Sequence, residues 1–321
     1  MKKISITGGS GFIGTNLIDC LISKGYEVQN LDKKPPLKDT HRSYWKGVDI
    51  LDFESLKASL MAFQPDAIIH LAAVTDLEGT QPEYYRANTE GTQNIIAAAA
   101  LLPKLKKILF TSSMYVCEPG YIPQSYDEYK PHTLYGESKV AGEKLVKNIQ
   151  NPHYVWTLIR PTSIWGPWFG IPYIDFFKVV SQKKYFDFGK ACTKTYGFID
   201  NTTYQIHQLL ISESSAFQTY YLGDDPPIPI SEWGNEISIA MGKGPIRKVP
   251  YFILKLAALT GDLLIKTGIK FPISSFRLNN MTTNNILPLG NLYKITGDAP
   301  YTRIAGVKKT IKWLHEQNAF Y

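Results

Sequence analysis

Cysteine is scarce in this chain: Cys20, Cys117 and Cys192 are the only three among 321 residues, and they stand far apart. No C-x-x-C pair and no metal-ligand spacing occurs. That argues against a zinc or iron–sulfur module and a disulfide framework, and isolated thiols suit a reducing compartment. Concentrated charge is missing as well. The formal net charge is +7, but the 35 Lys and Arg residues are scattered without a basic run. This pattern speaks against a nucleic-acid module while leaving room for anionic substrates or an anionic membrane surface. An uninterrupted apolar stretch is also absent. Val249 to Ile269 carries Phe252, Ile253, Leu254, Leu256, Leu259, Leu263, Leu264 and Ile265, but Lys255, Gly261, Asp262 and Lys266 break it. A transmembrane span needs about 20 nearly unbroken apolar residues. The first expectation for this segment is a helix packed into the fold; the second is an amphipathic surface touching a bilayer. The chain opens directly into a strand-like run, leaving no room for a signal peptide, so a cytoplasmic location is expected, with contact at the inner membrane face as the variant.

What is present begins at once. Lys3 to Thr7 reads as a short buried strand and Phe12 to Lys24 as a helix, joined by Gly8-Gly9-Ser10-Gly11 and running on to Gly14. Glycines at 8, 11 and 14 let a backbone turn tightly against a pyrophosphate, and the amino end of the helix, at Phe12 and Ile13, supplies unpaired N–H groups. The loop therefore predicts a dinucleotide. Tyr26 to Leu31 is the second strand, and Asp32 at its end can accept hydrogen bonds from the adenosine ribose. Its charge would repel a 2′-phosphate, which favours NAD over NADP, although Lys33 and Lys34 could offset that repulsion.

Strands at Ala67 to Leu71, Lys107 to Thr111 and Val155 to Ile159 alternate with helices at Glu90 to Leu101 and Tyr135 to Lys147. Such alternation predicts an α/β fold, a doubly wound parallel Rossmann sheet. With 44% hydrophobic residues the chain can bury a large core, as one unit or two interleaved domains. Residues 1–163, with about 195–222 returning, are expected to form the cofactor domain; 164–194 and 223–321 should form a smaller, interleaved substrate domain. Proline, glycine and aromatics crowd Trp165 to Tyr173, which reads as pocket lining outside the regular sheet.

The pattern Y-x-x-x-K occurs three times, at Tyr126/Lys130, Tyr135/Lys139 and Tyr251/Lys255. Pro131 biases Lys130 away from helix, and Tyr251 lies far downstream of the cofactor sheet. Tyr135 opens a predicted helix, where a four-residue step puts Lys139 on the same face. That helix follows the strand ending at Ser112-Ser113, the carboxyl edge where ligands of such sheets bind. Tyr135 and Lys139 are the pair expected to act.

In order and spacing these pieces resemble the extended short-chain dehydrogenase/reductase family, in particular its sugar-nucleotide epimerases and reductases. The matching residues are the Thr7 to Gly14 loop, Asp32, Asp49-Ile50, His70-Leu71-Ala72-Ala73, Asn88, Ser112-Ser113, Tyr135-Gly136-Glu137-Ser138-Lys139 and Arg160-Pro161-Thr162. The resemblance implies that Asp49 and Ile50 meet the adenine and that Leu71, Ala72 and Ala73 line the cofactor cleft. Asn88 and Pro161 would complete that cleft, and Lys139 would hold the nicotinamide ribose. Tyr135 would exchange a proton with a sugar hydroxyl while Ser113 binds the same oxygen, with Ser112 and Thr75 also facing substrate. Lys139 and the positive nicotinamide should lower the pKa of Tyr135.

Two departures refine the expectation. Dehydratases of that family carry Thr-Asp-Glu where this chain has Ser113-Met114-Tyr115, and neither Met114 nor Tyr115 can replace an acid–carboxylate pair. Nucleotide-sugar epimerases usually hold the substrate diphosphate with an arginine near the segment that here reads Lys194-Thr195-Tyr196-Gly197-Phe198. Lys194 offers only a point charge. The apolar segment, Pro272 to Arg277 and Thr282-Thr283-Asn284 look similar to enzymes that epimerise a sugar held on a polyprenyl diphosphate. The resulting expectation is an NAD-dependent sugar 4-epimerase acting on a nucleotide-linked or polyprenyl-diphosphate-linked hexose or N-acetylhexosamine, in surface-glycan synthesis. A homodimer through helices flanking the sheet is implied by the resemblance. A 4-keto-sugar reductase, a 3β-hydroxysteroid-type dehydrogenase and a non-catalytic NAD sensor are the rivals.

Overall fold

Seven segments align as one parallel sheet: β1 (Lys3–Thr7), β2 (Glu27–Asp32), β3 (Trp45–Gly47), β4 (Ala67–His70), β5 (Lys107–Thr111), β6 (Val155–Pro161) and, later in the chain, β11 (Gln218–Leu222). The computed structural model that shows this describes residues 1–318 apart from 172, 188, 191 and 267–281. The spatial order is β11-β6-β5-β4-β1-β2-β3. Thr7 is registered against Leu31 on one side and His70 on the other. The chain winds outward from β1 in one direction and from β4 in the other. The strand order therefore reverses between them, and a crevice opens beyond their carboxyl ends.

Both faces of the sheet are covered, which is why the interior residues of its central strands are buried in unbroken runs rather than alternating, the polar Ser5, Gln29 and Asn30 included. On one face α1 (Phe12–Ser23) and α6 (Ile199–Ile211) bury Leu17, Ile18, Leu21, Ile206, Leu209 and Leu210. On the other, α2 (Phe53–Phe63), α3 (Arg86–Ala99) and α4 (Leu134–Lys147) bury Leu56, Leu60, Ile95, Ala98 and Val146. This is the doubly wound Rossmann arrangement. Asp52 caps α2 by accepting from the Ser55 amide, and Thr133 caps α4 by accepting from the Gly136 amide.

The remaining elements gather around a third, aromatic core. They are the short strands β7 (Ser163–Trp165), β8 (Phe186–Asp187), β9 (Thr193–Lys194), β10 (Tyr196–Phe198), β12 (Ile228–Pro229) and β13 (Arg247–Lys248), with α5 (Tyr173–Ser181) and α7 (Ile230–Ala240). Trp165 meets Trp233 at 5.1 Å between ring centroids and Phe198 at 5.0 Å. Here one expectation is corrected. Trp165 and Phe169, read as pocket lining, are buried in this core, because large rings lose most by facing water.

A second correction concerns α8 (Tyr251–Lys266). The segment is helical, but four of its large side chains do not pack inward: Phe252, Leu256, Leu259 and Leu263 are 62, 59, 54 and 66% exposed. Small residues, Ala258 and Gly261, face the protein instead. Pro272 to Arg277 lie outside the described residues. The chain then forms α9 (Gly290–Thr296) and α10 (Arg303–Glu316), which rest on α6 and α7 respectively.

Candidate active site

The crevice beyond β1 is shaped first by its glycine loop. Gly8 holds a φ of +72°, and a Cβ there would stand 2.6 Å from the Ala72 nitrogen. A Cβ on Gly14 would meet the Gly9 Cα at 2.5 Å. Both positions hold the loop tight against β4 and α1. Gly11 differs, since a Cβ there would touch only the Gly8 oxygen, at 3.3 Å. No side chain caps the first turn of α1 and no acid lies in it, so the Phe12, Ile13 and Gly14 amides open towards an anion. These features fit a dinucleotide pyrophosphate.

Asp32 ends β2, and its carboxylate accepts from the Ser10 amide at 3.1 Å and the Lys34 amide at 2.9 Å. Burial pushes its pKa up, with the two amides opposing. Lys33 turns away and pairs with Asp49 at 3.4 Å. Asp49 also accepts from the Leu51 amide, and the buried Ile50 sits under Gly91 of α3. The Leu71-Ala72-Ala73 segment leaves β4 half-buried along the cleft, with Thr75 exposed beyond it. Asn88 does not open towards this cleft. Its Oδ1 accepts from the Val74 amide at 2.8 Å, while Nδ2 donates to the Val74 carbonyl and Ser138 Oγ, both at 2.9 Å. It fixes the segment rather than presenting a free group. Pro161 is buried at the end of β6, registered with Leu222.

Tyr135 and Lys139 share the inner face of α4, with the ammonium 6.0 Å from the ring centroid. Lys139 Nζ donates to the Thr111 carbonyl at 3.0 Å, at the carboxyl end of β5. Burial lowers its pKa to about 8, and Glu143 one turn on pulls the other way. Burial pushes the Tyr135 phenol up to about 12, and a hydrogen bond with Ser113 opposes this. The side chains around Tyr135 thus do not by themselves supply the expected lowering of its pKa. Ser113 follows β5 and its Oγ also accepts from the Tyr115 amide at 3.1 Å. The buried Thr111 and Ser112 hydroxyls have no hydrogen-bond partner among the described residues. With His70, Asn88, Thr92 and Lys139 they line a cavity of about 10 Å³, room for roughly one water.

The other two Y-x-x-x-K pairs separate. Lys130 is bound to Glu118, with its backbone bridged to Cys117, and Tyr126 stacks near Tyr221. Tyr251 and Lys255 belong to α8, where Lys255 is exposed. Lys194, the expected diphosphate cation, lies on β9 next to Asn285, and burial lowers its pKa.

Several contacts around the site were not read from the sequence. Thr7 Oγ1 lies 2.7 Å from His70 Nδ1 and accepts from the Ala72 amide, tying β1 to β4. Tyr85 and Tyr115 stand 6.1 and 6.2 Å from the Tyr135 ring and wall it in. Glu143 lies on the same α4 face and binds Arg160. A carboxylate four residues after Lys139, on a buried helical stripe, was the available signal for it.

Residues 4–176 match the model of the NAD dependent epimerase/dehydratase family. An N-acetyl-alpha-D-glucosaminyl-diphospho-ditrans,octacis-undecaprenol 4-epimerase of Escherichia coli O157:H7 is 27% identical, covering 97% of this chain and 95% of its own. A 3-beta-hydroxysteroid dehydrogenase of Mycolicibacterium neoaurum is also 27% identical, over 94% of this chain and 87% of that one. In fold the chain is similar to the UDP-glucose 4-epimerase of Thermus thermophilus, solved in complex with NAD. The TM-score is 0.74 at 19% identity, covering 98 and 99% of the two chains. The glycine cradle, the carboxylate ending β2 and the family match agree, and the chain belongs to the NAD dependent epimerase/dehydratase family, as an NAD-dependent extended short-chain dehydrogenase/reductase enzyme.

Proposed function

We propose that the protein is a 4-epimerase of a diphosphate-linked hexose or N-acetylhexosamine. The observation that carries this reading is the phenol of Tyr135, buried beside Ser113 and one turn from Lys139 at the carboxyl edge of the sheet. The Gly8 to Gly14 loop, Asp32, Asp49 and Lys139 would hold NAD, which supplies a hydride acceptor and donor when bound. Tyr135 takes the proton of the sugar 4-hydroxyl during oxidation and returns it after the 4-keto sugar has presented its other face. Ser113 steadies the sugar oxygen through both half-reactions. Lys139 holds the ribose and keeps a positive charge near the phenolate. Ser112 and Thr75 flank the sugar, and Lys194 faces its diphosphate. Met114 and Tyr115 supply no acid–carboxylate pair, which favours epimerisation over dehydration.

The full-length likeness to an epimerase of a polyprenyl-linked sugar supports a diphosphate-linked substrate. The likeness to a hydroxysteroid dehydrogenase keeps net oxidoreduction as the second reading. The nucleotide found in purified protein decides between them. Retained NAD and turnover without net consumption match the epimerase; an empty site that consumes added NAD(P)H matches the reductase.

A further inference from the structure

We infer that the outer face of α8 docks on an anionic phospholipid bilayer, holding the substrate side of the enzyme against the lipid that carries its sugar. The second half of this statement rests on the proposed epimerase reading; the first does not. Phe252, Leu256, Leu259 and Leu263 stand at i, i+4, i+7 and i+11, a single helical stripe, with Ile253 beside it at 46% exposure. An ordinary surface helix turns such a stripe inward. Here the stripe faces outward, and among the described side chains of the helix the buried positions are Ala258 and Gly261.

The charge around the stripe chooses its partner. Lys183, Lys184, Lys190, Arg247, Lys248 and Lys255 are exposed, and none is ion-paired among the described residues. Lys190 Nζ lies 5.2 Å from the Tyr251 ring, and Arg247 and Lys248 form β13 just ahead of the helix, so these three cations stand at its start. A two-fold contact with a second copy would bring the same cations face to face. Anionic headgroups satisfy cations and stripe together. The 16 described residues of α8 span about 24 Å, short of the roughly 30 Å hydrocarbon core, and no described helix is long and apolar enough to cross a membrane.

The position suits delivery. Before α8 the chain is tied to β8, which leads into β9 and Lys194. After it, at Asn285, the chain donates to Met114 Sδ at 3.6 Å, one residue from Ser113. Along the chain, the helix falls between two segments that reach the substrate end of the site.

Co-sedimentation of the full chain with phosphatidylcholine vesicles, with and without phosphatidylglycerol, tests the docking. Binding is expected only to the anionic vesicles and should weaken with salt. Leu256→Ser with Leu263→Ser should reduce it about tenfold or more, as should Arg247→Gln with Lys248→Gln. Both variants should keep turnover of a UDP-linked sugar, or of whichever soluble substrate the enzyme accepts, within about twofold, since the changed side chains are exposed. Wild-type protein that turns over sugar yet ignores anionic vesicles would overturn the docking alone. So would a leucine variant that loses several degrees in Tm, which would mean internal packing, or one that dissociates from dimer to monomer with vesicle binding intact. Absence of epimerisation on either carrier, with vesicle binding retained, would instead overturn the epimerase reading.

Discussion

Glu143 grips Arg160 with both carboxylate oxygens, at 2.7 and 2.8 Å, and neither side chain is exposed. Burial works against the charge of Arg160, but Glu143 and Tyr221 hold its pKa above the ordinary value. The pair joins α4 to β6, one turn below Lys139. Tyr129 donates to the same carboxylate at 3.0 Å, which leaves the pair well satisfied for a buried one.

Removing one partner should therefore do more damage than removing both. Glu143→Gln leaves a buried guanidinium without its counter-charge, at a cost of roughly 3–5 kcal/mol. The double change Glu143→Leu with Arg160→Met should be less destabilising than either charge deletion alone. Urea denaturation of the four proteins measures this directly.

Tyr135→Phe should keep the fold and NAD affinity but lower turnover by about two to four orders of magnitude. Paired calorimetry and activity assays test it. Turnover within a few-fold of wild type would remove Tyr135 from its role.

Cofactor preference should follow Asp32. Its carboxylate is fixed by two backbone amides, and the nearby Lys33 is drawn to Asp49. NAD should bind at least about tenfold more tightly than NADP, a charge-repulsion effect of order 1.4 kcal/mol or more. Asp32→Ser should narrow that gap. Calorimetric titration of cofactor-free protein with both nucleotides supplies the comparison.

Stability should rise with pH just above neutrality. Burial lowers Lys139 to about 8, and an unfolded lysine titrates near 10.5, so between these values the unfolded chain binds more protons. Stability then increases as pH rises through that window, by about 1 kcal/mol for Lys139 between pH 8 and 9. Above about 10 the sign reverses, because burial holds Tyr135 and Tyr221 protonated up to about 12 in the folded state. Denaturation at pH 7, 9 and 11 should trace a maximum, and Lys139→Met should make its rising limb shallower, the remainder coming from Lys107, which burial also lowers to about 8.

The sheet and its cofactor end were legible in the sequence because each depends on local rules. Lys3 to Thr7 and Lys107 to Thr111 are strands at the expected residues, since short apolar runs between turn signals have few other ways to bury themselves. Glycine spacing announced the loop after β1 because only that residue type tolerates the close approach at Gly8. That Tyr135 and Lys139 share one helical face was also local, following from their four-residue step, and both stand on α4.

What the tertiary structure alone decided depends on long-range contact. Asn88 and Val74 meet through a side-chain clamp that no periodicity reveals. Glu143 becomes a partner of Arg160 only when α4 lies across β6. The sequence of α8 permitted both a buried helix and a surface one, because apolar residues at helical spacing define a stripe but not the direction it faces. Packing of the rest of the chain settled that, leaving Leu256 and Leu263 outside and Ala258 within.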